Sequence, residues 1–402
     1  MFYRPILPNG KKVPLTWQIV AFFINVTWPL NNNASTWIRL IDRCRILFCV
    51  WLLATCILFE YQELIQHKGD IIIMIQISVT ITVAAESLIR MCFMAFDKEK
   101  LKEYLKGYYL HIYFDEETHG TIHRRIRKQT MPALMYSYSY IATLISYLVG
   151  PMIALMDGQR ILPFQMKIPF NYQPLLIYTI VVLLNWYIGI LVVTNIISES
   201  YLLVTSILNL NDRLVLLEQD IMNLGDEVLK SDNPETIADV FCEKLILLVK
   251  RNEELFSFAE IVEAQFTRPL FIMMSNSALL LCLVAFNAHE TGLDTENITY
   301  ATWLSAKVAE LVVLGYLGSL ISARFDGLGN TYYSSNWEKI IYKSTNTEAN
   351  IRTMKLMTRA ITINQRPFML TGMGFFHVNL GTTVTKIILY WRKVVFLVDN
   401  KP

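Results

Sequence analysis

The sequence predicts an all-α polytopic membrane protein with seven transmembrane helices, a cytoplasmic N-terminus, an extracellular C-terminus and a cytoplasmic helical anchor region. Apolar residues make up 53% of the 402 positions and charged residues only 17%, whereas a soluble domain carries about 25% charged residues. Several apolar stretches reach the roughly 20 residues that a helix needs to cross a bilayer. Basic residues are concentrated in alternate connections between these stretches, as expected for cytoplasmic loops.

The seven predicted spans are recognised by their length and their low charge. In chain order they cover residues 44–63, 71–96, 132–156, 174–198, 269–288, 302–323 and 375–398. The third, fourth and fifth contain no charged residue, so they are the clearest. A further apolar run at 17–30 is too short to cross and is interrupted by Trp28-Pro29. We interpret this run as an interfacial or re-entrant segment.

The distribution of basic residues sets the orientation. Most of them lie before the first span and in the second-to-third, fourth-to-fifth and sixth-to-seventh connections. The other three connections together contain Lys68, Arg160 and Lys167. Because positive residues stay on the cytoplasmic side, the N-terminus is predicted to be inside. The glycosylation sequon at Asn297 then lies outside, whereas those at Asn25 and Asn33 lie inside and stay unmodified.

These boundaries divide the chain into six segments. They are a cytoplasmic N-terminal segment with an interfacial helix (1–43), spans one to four (44–198), cytoplasmic helical extensions (199–268), spans five and six (269–323), a cytoplasmic loop with a short helix (324–374), and the seventh span with an extracellular tail (375–402). Residues 236–265 carry an apolar stripe with the period of an amphipathic helix. Two interpretations are open: the extensions pack within one subunit, or they form a bundle where several subunits meet.

Composition and motifs exclude several functional classes. A net charge of +2 provides no basic field for nucleic acid. The sequence contains no phosphate-binding glycine loop and no catalytic triad context, and His119 and His123 lie beside three arginines that disfavour a metal ion. We therefore expect a protein that is not an enzyme and that has no cofactor. The orientation is opposite to that of a G-protein-coupled receptor, whose Asp-Arg-Tyr and Asn-Pro-x-x-Tyr motifs are also missing.

Two pairs of charged residues lie at membrane depth, where charge is costly unless it faces protein or water. Lys307 and Glu310 are three residues apart and can pair on one helical face. We interpret them either as a polar spot in a ligand cavity or pore, or as a neutralised pair near the outer interface. Glu86 and Arg90 are four residues apart near the cytoplasmic end of the second span, where we expect a snorkelling pair.

The predicted seventh span differs from a lipid-facing helix. It begins rich in Gly, Thr and Asn, which permit close helix packing or line a wet surface. Near its outer end Lys393, Phe396 and Asp399 recur every three residues along one slanting line of the helix. An apolar side chain flanked by charges is typical of a pore constriction that gates by dewetting. A channel-lining helix is therefore predicted, with snorkelling at the outer leaflet as the alternative for Arg392.

Three segments resemble insect odorant receptors. The segment FDGLGNTYYSSNW at 325–337 is similar to the inner-loop pattern after their sixth span, and RPFMLTGMGFFHVNL at 366–380 looks like the block that opens their seventh. Trp28-Pro29 followed by Arg39 is similar to their N-terminal signature. The likeness in spans, lengths and orientation covers essentially the whole chain, while the similarity of sequence is concentrated near the C-terminus.

The resemblance implies a tuning subunit of a ligand-gated, non-selective cation channel that assembles with a shared co-receptor in a heterotetramer. Such a subunit lies in the plasma membrane of olfactory sensory neuron dendrites and binds small volatile molecules among the outer halves of the second, third, fourth and sixth spans. The implied pocket residues are Ile73, Gln76, Ile77, Thr80, Thr143, Tyr147, Gly150, Tyr178, Val182, Asn185, Val308, Leu311 and Val312. The seventh spans line the pore, with Phe396 at the gate and Lys393 and Asp399 on its pore-facing line.

Other functional classes stay open beside this resemblance, and the sequence differs from the family's usual pattern at one place. Gustatory receptor channels share the topology, but their usual Thr-Tyr…Gln-Phe ending is absent here. A G-protein-coupled receptor or a transporter is the alternative from another class. The family more often has uncharged Ser and Tyr where this chain has Arg392 and Lys393. Because four such lysines around a cation pathway would repel the permeant ion, this chain alone is expected to make a poor channel.

Overall fold

The computed structural model describes residues 2–14, 16–230, 233–291, 295–366, 368–385 and 389, which are mostly helical. In chain order the elements are α1 (Trp17–Ile24), α2 (Thr36–Gln66), α3 (Ile71–Phe96), α4 (Lys98–Gly107), a π-helix (Tyr108–Ile112), α5 (Glu116–Gln129), α6 (Met131–Met156), α7 (Leu175–Leu229), α8 (Ile237–Thr291), α9 (Thr295–Tyr333), α10 (Trp337–Lys343), α11 (Thr347–Ile363), β1 (Thr371–Gly372) and β2 (Phe376–His377). The two short strands pair antiparallel. The predicted all-α class is confirmed.

Six helices in the described part of the chain are long and apolar enough to cross a membrane: α2, α3, α6, α7, α8 and α9. They cover the first six predicted spans in the predicted order, with α7 beginning one residue after the predicted start of the fourth. The bounds of α3 coincide with the prediction. Its start is fixed by Asp70, which caps the first turn by accepting hydrogen bonds from the Ile72 and Ile73 amides at 3.1 and 3.2 Å. In contrast, α2 begins at Thr36 rather than at 44, since Ser35 caps it there.

The helices α7 and α8 extend far beyond a membrane. Each contains 55 residues, and at about 1.5 Å per residue such a helix is roughly 80 Å long, against about 30 Å of hydrocarbon. In the extensions, Leu214, Leu217 and Ile221 of α7 share one buried core with Phe241 and Leu245 of α8. This packing within one chain accounts for the amphipathic pattern, and a meeting of several subunits at the extensions stays a prediction.

The N-terminal segment packs on α7 through one face of α1. Phe22 of this eight-residue helix is buried in the core, whereas Trp17 and Val20 are exposed. Trp28 is also buried, and its indole N–H donates to the Tyr3 carbonyl at 2.8 Å. A packed face beside an exposed apolar face is what an interfacial helix requires.

The loop between the π-helix and α5 is held to α7 by Arg213. Its Nε donates to the Ile112 carbonyl at 2.9 Å and its Nη2 to the Tyr113 carbonyl at 3.2 Å. The guanidinium lies 4.0 Å from the centre of the Phe114 ring. Burial and the nearby Arg251 lower the pKa of Arg213 to about 10, so this group is charged at neutral pH.

The predicted seventh span starts with a hairpin rather than with a helix. Met373 and Gly374 have positive φ angles of 51° and 74° and form the turn between β1 and β2. Helical structure begins only after Asn379, whose Oδ1 accepts a hydrogen bond from the Thr382 amide at 2.7 Å. The start at 375, predicted from apolarity, therefore differs from the structure because a turn and a capping residue intervene. Most of the remaining predicted span lies outside the described residues.

Candidate functional site

A cavity, which we call the inner cavity, lies between α2, α3, α6, α7 and α9. It offers about 60 Å³ to the centre of a water-sized sphere, several times the roughly 10–15 Å³ that one water molecule needs. It is lined by Cys56, Glu60, Val79, Thr80, Val83, Ala84, Leu144, Tyr147, Phe164, Ile188, Gly189, Val192, Val193 and Trp303. Because most of these side chains are apolar, the cavity suits a small hydrophobic molecule held mainly by burial.

Two polar atoms in this lining have no hydrogen-bond partner within the part of the chain that the structure describes. One is Oε2 of Glu60, a residue that is 1% exposed, and the other is the indole Nε1 of Trp303, a residue that is 9% exposed. The Thr80 hydroxyl is next to the Glu60 carboxyl but donates to the Ile77 carbonyl at 2.9 Å. The inner cavity therefore has an unpaired carboxyl oxygen and an unpaired N–H donor in its wall.

A larger outer cavity adjoins the inner one. On the same measure it offers about 310 Å³. It is lined by Gln76, Ile77, Thr80, Ser146, Tyr147, Gly150, Pro151, Ile161, Leu162, Pro163, Phe164 and Gln165. Thr80, Tyr147 and Phe164 line both cavities, and the ring centres of Tyr147 and Phe164 are 5.7 Å apart. These two rings therefore form part of the wall between the cavities.

The structure brings together five of the predicted pocket residues. Thr80 and Tyr147 line both cavities, whereas Gln76, Ile77 and Gly150 line the outer cavity. They lie on α3 and α6, so the contribution of the predicted second and third spans to a cavity is clear. Their contact with a ligand stays a prediction.

The other predicted pocket residues line neither of these two cavities. They are Ile73, Thr143, Tyr178, Val182, Asn185, Val308, Leu311 and Val312. The Tyr178 hydroxyl donates to the Ile161 carbonyl at 2.9 Å, and Asn185 donates to the Val181 carbonyl at 3.0 Å. These two hydrogen bonds stabilise the N-terminal part of α7.

Sequence reasoning missed the contribution of α2. Cys56 and Glu60 lie on the predicted first span, which was not assigned to the pocket, and Phe164 comes from the connection between α6 and α7. A signal was available, because Glu60 is a carboxyl group inside a predicted membrane span and such groups usually mark functional sites. No comparable signal distinguished Trp303 from the other aromatic residues.

Five charged side chains form a buried cluster, which we call the charge network: Glu86, Arg90, Glu199, Lys307 and Glu310, each at most 2% exposed. Arg90 contacts Glu86 at 3.0 Å and Glu199 at 2.6 Å. Lys307 contacts Glu86 at 2.8 Å and Glu310 at 3.2 Å. The predicted pairing of Lys307 with Glu310 is confirmed. Both side chains are buried within the protein, and a role for them in a ligand cavity or pore stays a prediction. The expectation that Glu86 and Arg90 snorkel is wrong, because both face partners on other helices inside the protein.

The charge network adjoins the inner cavity. On α9, Trp303 in the cavity wall precedes Lys307 by about one helical turn. Tyr140 of α6 connects the two sites, because its ring centre lies 4.7 Å from that of Trp303 and its hydroxyl donates to Glu310 at 2.9 Å. A ligand that displaces the Trp303 ring would therefore disturb a direct neighbour of the charge network.

From the charge network, α9 continues to the segment that precedes the predicted seventh helix. A Cβ atom added to Gly318 would lie 1.9 Å from the Val378 carbonyl oxygen, and one added to Gly315 would lie 2.6 Å from the Thr383 hydroxyl. These glycines allow the two backbones to approach closely. The same helix thus contacts the cavity, the charge network and the start of the seventh helix.

The side chains of the remaining predicted site residues are not among those that the structure describes. Lys393, Phe396 and Asp399 lie outside the described residues. The backbone of Asn297 lies in the first turn of α9. The pore and glycosylation roles of these residues stay predictions.

Comparison with known proteins assigns the family. A family model described as 7tm Odorant receptor matches residues 71–388. The chain belongs to the odorant receptor family. This odorant receptor is 30% identical to Odorant receptor 74a of Drosophila melanogaster over 388 residues, or 96% of this chain and 95% of the relative. It is 29% identical to Odorant receptor 35a of the same fly over 387 residues, or 94% and 93% of the two chains.

Solved structures support the fold. The insect olfactory receptor OR5 from Machilis hrabei matches with a TM-score of 0.76 and 13% identity over 96% of this chain and 98% of that one. The same receptor in complex with eugenol matches with a TM-score of 0.74 and 12% identity over 95% and 98% of the two chains. The odorant receptor described here is thus a multi-pass membrane protein. The resemblance noted in the sequence is confirmed, as is the expectation that the chain is a sensory receptor and not an enzyme.

Proposed function

We propose that this odorant receptor is a tuning subunit of a ligand-gated, non-selective cation channel. It assembles with the shared co-receptor as a heterotetramer in the plasma membrane of olfactory sensory neuron dendrites. A small volatile molecule binds in the inner cavity, and the seventh helices line the central pore. The observation that carries the proposal is the apolar inner cavity beside a charge network that α9 connects to the start of the seventh helix.

The binding free energy expected from burying apolar ligand surface fits reversible detection of a volatile molecule. Burying about 200 Å² of apolar ligand surface contributes about 5 kcal/mol at about 25 cal/mol/Å². That free energy corresponds to a Kd of about 0.2 mM. A polar contact in the cavity wall is then needed for higher affinity and for selectivity. Small-molecule binding in a receptor of this fold is supported by the eugenol complex of OR5 from Machilis hrabei.

Gating is proposed as a shift of population between a closed and an open arrangement. Only a difference in ligand affinity between the two arrangements can drive it. The ligand acts on Trp303 in the cavity wall, and α9 transmits the change through its contacts at Gly315 and Gly318. The seventh helix then moves outward and removes Phe396 from the pore axis.

The residues predicted to line the pore suggest a test of whether the chain needs the co-receptor to conduct cations. Lys393 on the pore-facing line repels cations when four copies surround the pathway, and fewer copies are tolerated when co-receptor subunits complete the ring. Odour-evoked currents should be recorded from cells that express the chain alone and with the co-receptor. We expect currents only, or predominantly, in the second case. Equal currents in both cases would contradict the proposal.

The orientation is tested by glycosylation. Under the proposed topology Asn297 is extracellular and is glycosylated, which a shift in gel mobility after deglycosylation detects. Asn25 provides an internal control, because it is fully buried and its amide donates to the Ser198 hydroxyl at 3.0 Å. An Asn297→Gln variant should lose the mobility shift. Persistence of the shift in this variant would place a different site outside the cell and would contradict the topology.

A further inference from the structure

We infer that the inner cavity selects small alcohols, with Glu60 and Trp303 as the residues that recognise the hydroxyl group; this inference rests on the proposed ligand site. The two residues lie on different helices, α2 and α9, and line the same cavity. Among the described residues, neither Oε2 of Glu60 nor Nε1 of Trp303 has a hydrogen-bond partner, and both residues are at least nine-tenths buried.

Unpaired buried polar groups are costly, so their presence in a cavity wall points to a ligand that pairs with them. A buried carboxyl oxygen without a partner is especially unfavourable within a membrane span. The other walls of the inner cavity are mostly apolar, and within the described part of the chain Glu60 and Trp303 supply its unpaired polar atoms. A matching ligand therefore carries one small polar group on an apolar body.

The chemistry of the two atoms favours a hydroxyl over other polar groups. The Trp303 indole N–H can only donate, so the ligand group must accept a hydrogen bond. Glu60 accepts a hydrogen bond when it is ionised and can donate one when it is protonated, so a ligand group that suits both forms must donate as well as accept. A hydroxyl does both. An ether or an aldehyde has no donor and pairs with Glu60 in the protonated form alone, and an alkylammonium has three donors but no acceptor for Trp303.

The test compares ligands of nearly the same shape on the channel formed with the co-receptor. The probes are n-heptanol, its isomer methyl hexyl ether, n-heptanal, n-heptylamine and n-octane. Half-maximal concentrations are measured from evoked currents, and thermal stabilisation of the purified complex by each probe is measured in parallel. We expect n-heptanol to be more potent than the ether by at least ~10-fold, because a site built to pair with a hydroxyl rejects an analogue without one.

Substitutions in the wall then assign the preference to residues. In Glu60→Leu, which removes the carboxyl group at similar size, we expect the potency of n-heptanol to fall by at least ~10-fold while that of the ether changes little. Trp303→Phe removes the N–H and should reduce the preference in the same direction. Ile188→Leu changes an apolar residue of the same cavity at constant volume and serves as the matched control. It should affect both probes by the same factor.

The outcomes separate the inference from the proposed function. Equal potency of alcohol and ether in a channel that conducts overturns the inference and leaves the proposed function intact. Higher potency of the amine or the aldehyde also overturns it. An unchanged alcohol preference in both Glu60→Leu and Trp303→Phe overturns the assignment to these residues, and the second variant keeps the test valid if the first does not fold. Stabilisation by the alcohol with the expected preference but without any current supports the inference and overturns the proposed function.

Discussion

Replacing Lys307 by Met tests the charge network most directly. The side chain keeps a similar length but loses its charge, so Glu86 and Glu310 lose the cation that they share. The intact network holds three carboxylates and two cations, and in the variant three carboxylates face Arg90 alone. Removing one partner of a buried ion pair typically costs about 3–5 kcal/mol, because the remaining charge is left uncompensated.

This cost is expressed as a measurable shift in melting temperature. An unfolding entropy of about 2.1 cal/mol/K per residue amounts to about 0.8 kcal/mol/K for a chain of this length. We therefore expect Lys307→Met to lower the melting temperature of the purified receptor by about 4–6 °C. The measurement is intrinsic fluorescence during a thermal ramp in detergent, repeated with size-exclusion chromatography as a second probe.

Two further variants control this measurement. Lys244→Met breaks an exposed pair with Glu227 at 3.2 Å, whose side chains are 48% and 58% exposed, and such pairs contribute about 0–1 kcal/mol. Lys307→Met combined with Glu310→Gln restores the balance of charge and should recover more than half of the loss. A loss in Lys307→Met no larger than in Lys244→Met would refute the reasoning that the network is buried and mutually compensating.

Three other substitutions test separate contacts by the same thermal assay. Gly318→Ala places a Cβ against a backbone carbonyl and should lower the free energy of unfolding by about 1–3 kcal/mol. Gly327→Ala is the control and should not lower it, because the nearest atom to its Cβ is 4.0 Å away. Equal losses of stability in the two variants would contradict the close contact of α9. Arg213→Lys loses two hydrogen bonds and the contact with the Phe114 ring, and should lower the free energy of unfolding by about 1–3 kcal/mol. An unchanged stability would show that Arg213 does not hold the loop in place. Asn379→Ala removes a helix cap and should cost about 0.5–2 kcal/mol; an unchanged melting temperature would show that the helix does not depend on this cap.

The membrane helices could be predicted from the sequence because their signal is local. A stretch of about 20 apolar residues has few alternatives to a spanning helix. The helix α3 matches its prediction at both ends, and Asp70 caps its first turn. The pairing of Lys307 with Glu310 is equally local, since three residues separate them on one helix.

The cross-helix contacts could not be predicted from spacing. Lys307 also pairs with Glu86, which lies 221 positions earlier, and no periodicity within one helix reports such a distance. The same limit applies to the inner cavity, where Glu60 and Trp303 come from different helices. At the start of the seventh span, apolar composition concealed a turn whose residues adopt positive φ. In the first two cases the deciding interaction depends on how distant segments pack, whereas the turn is local and leaves no mark in the apolar composition.

The length of α7 has a mechanical consequence. The first third of this helix lines the inner cavity, through Ile188 and Val192, and its opposite end belongs to the core that the extensions share. The roughly 60 Å of helix beyond the cavity converts a tilt of about 3° into a sideways displacement of about 3 Å at the far end. A small tilt of α7 at the cavity would therefore change side-chain packing in the extensions, far from the cavity itself.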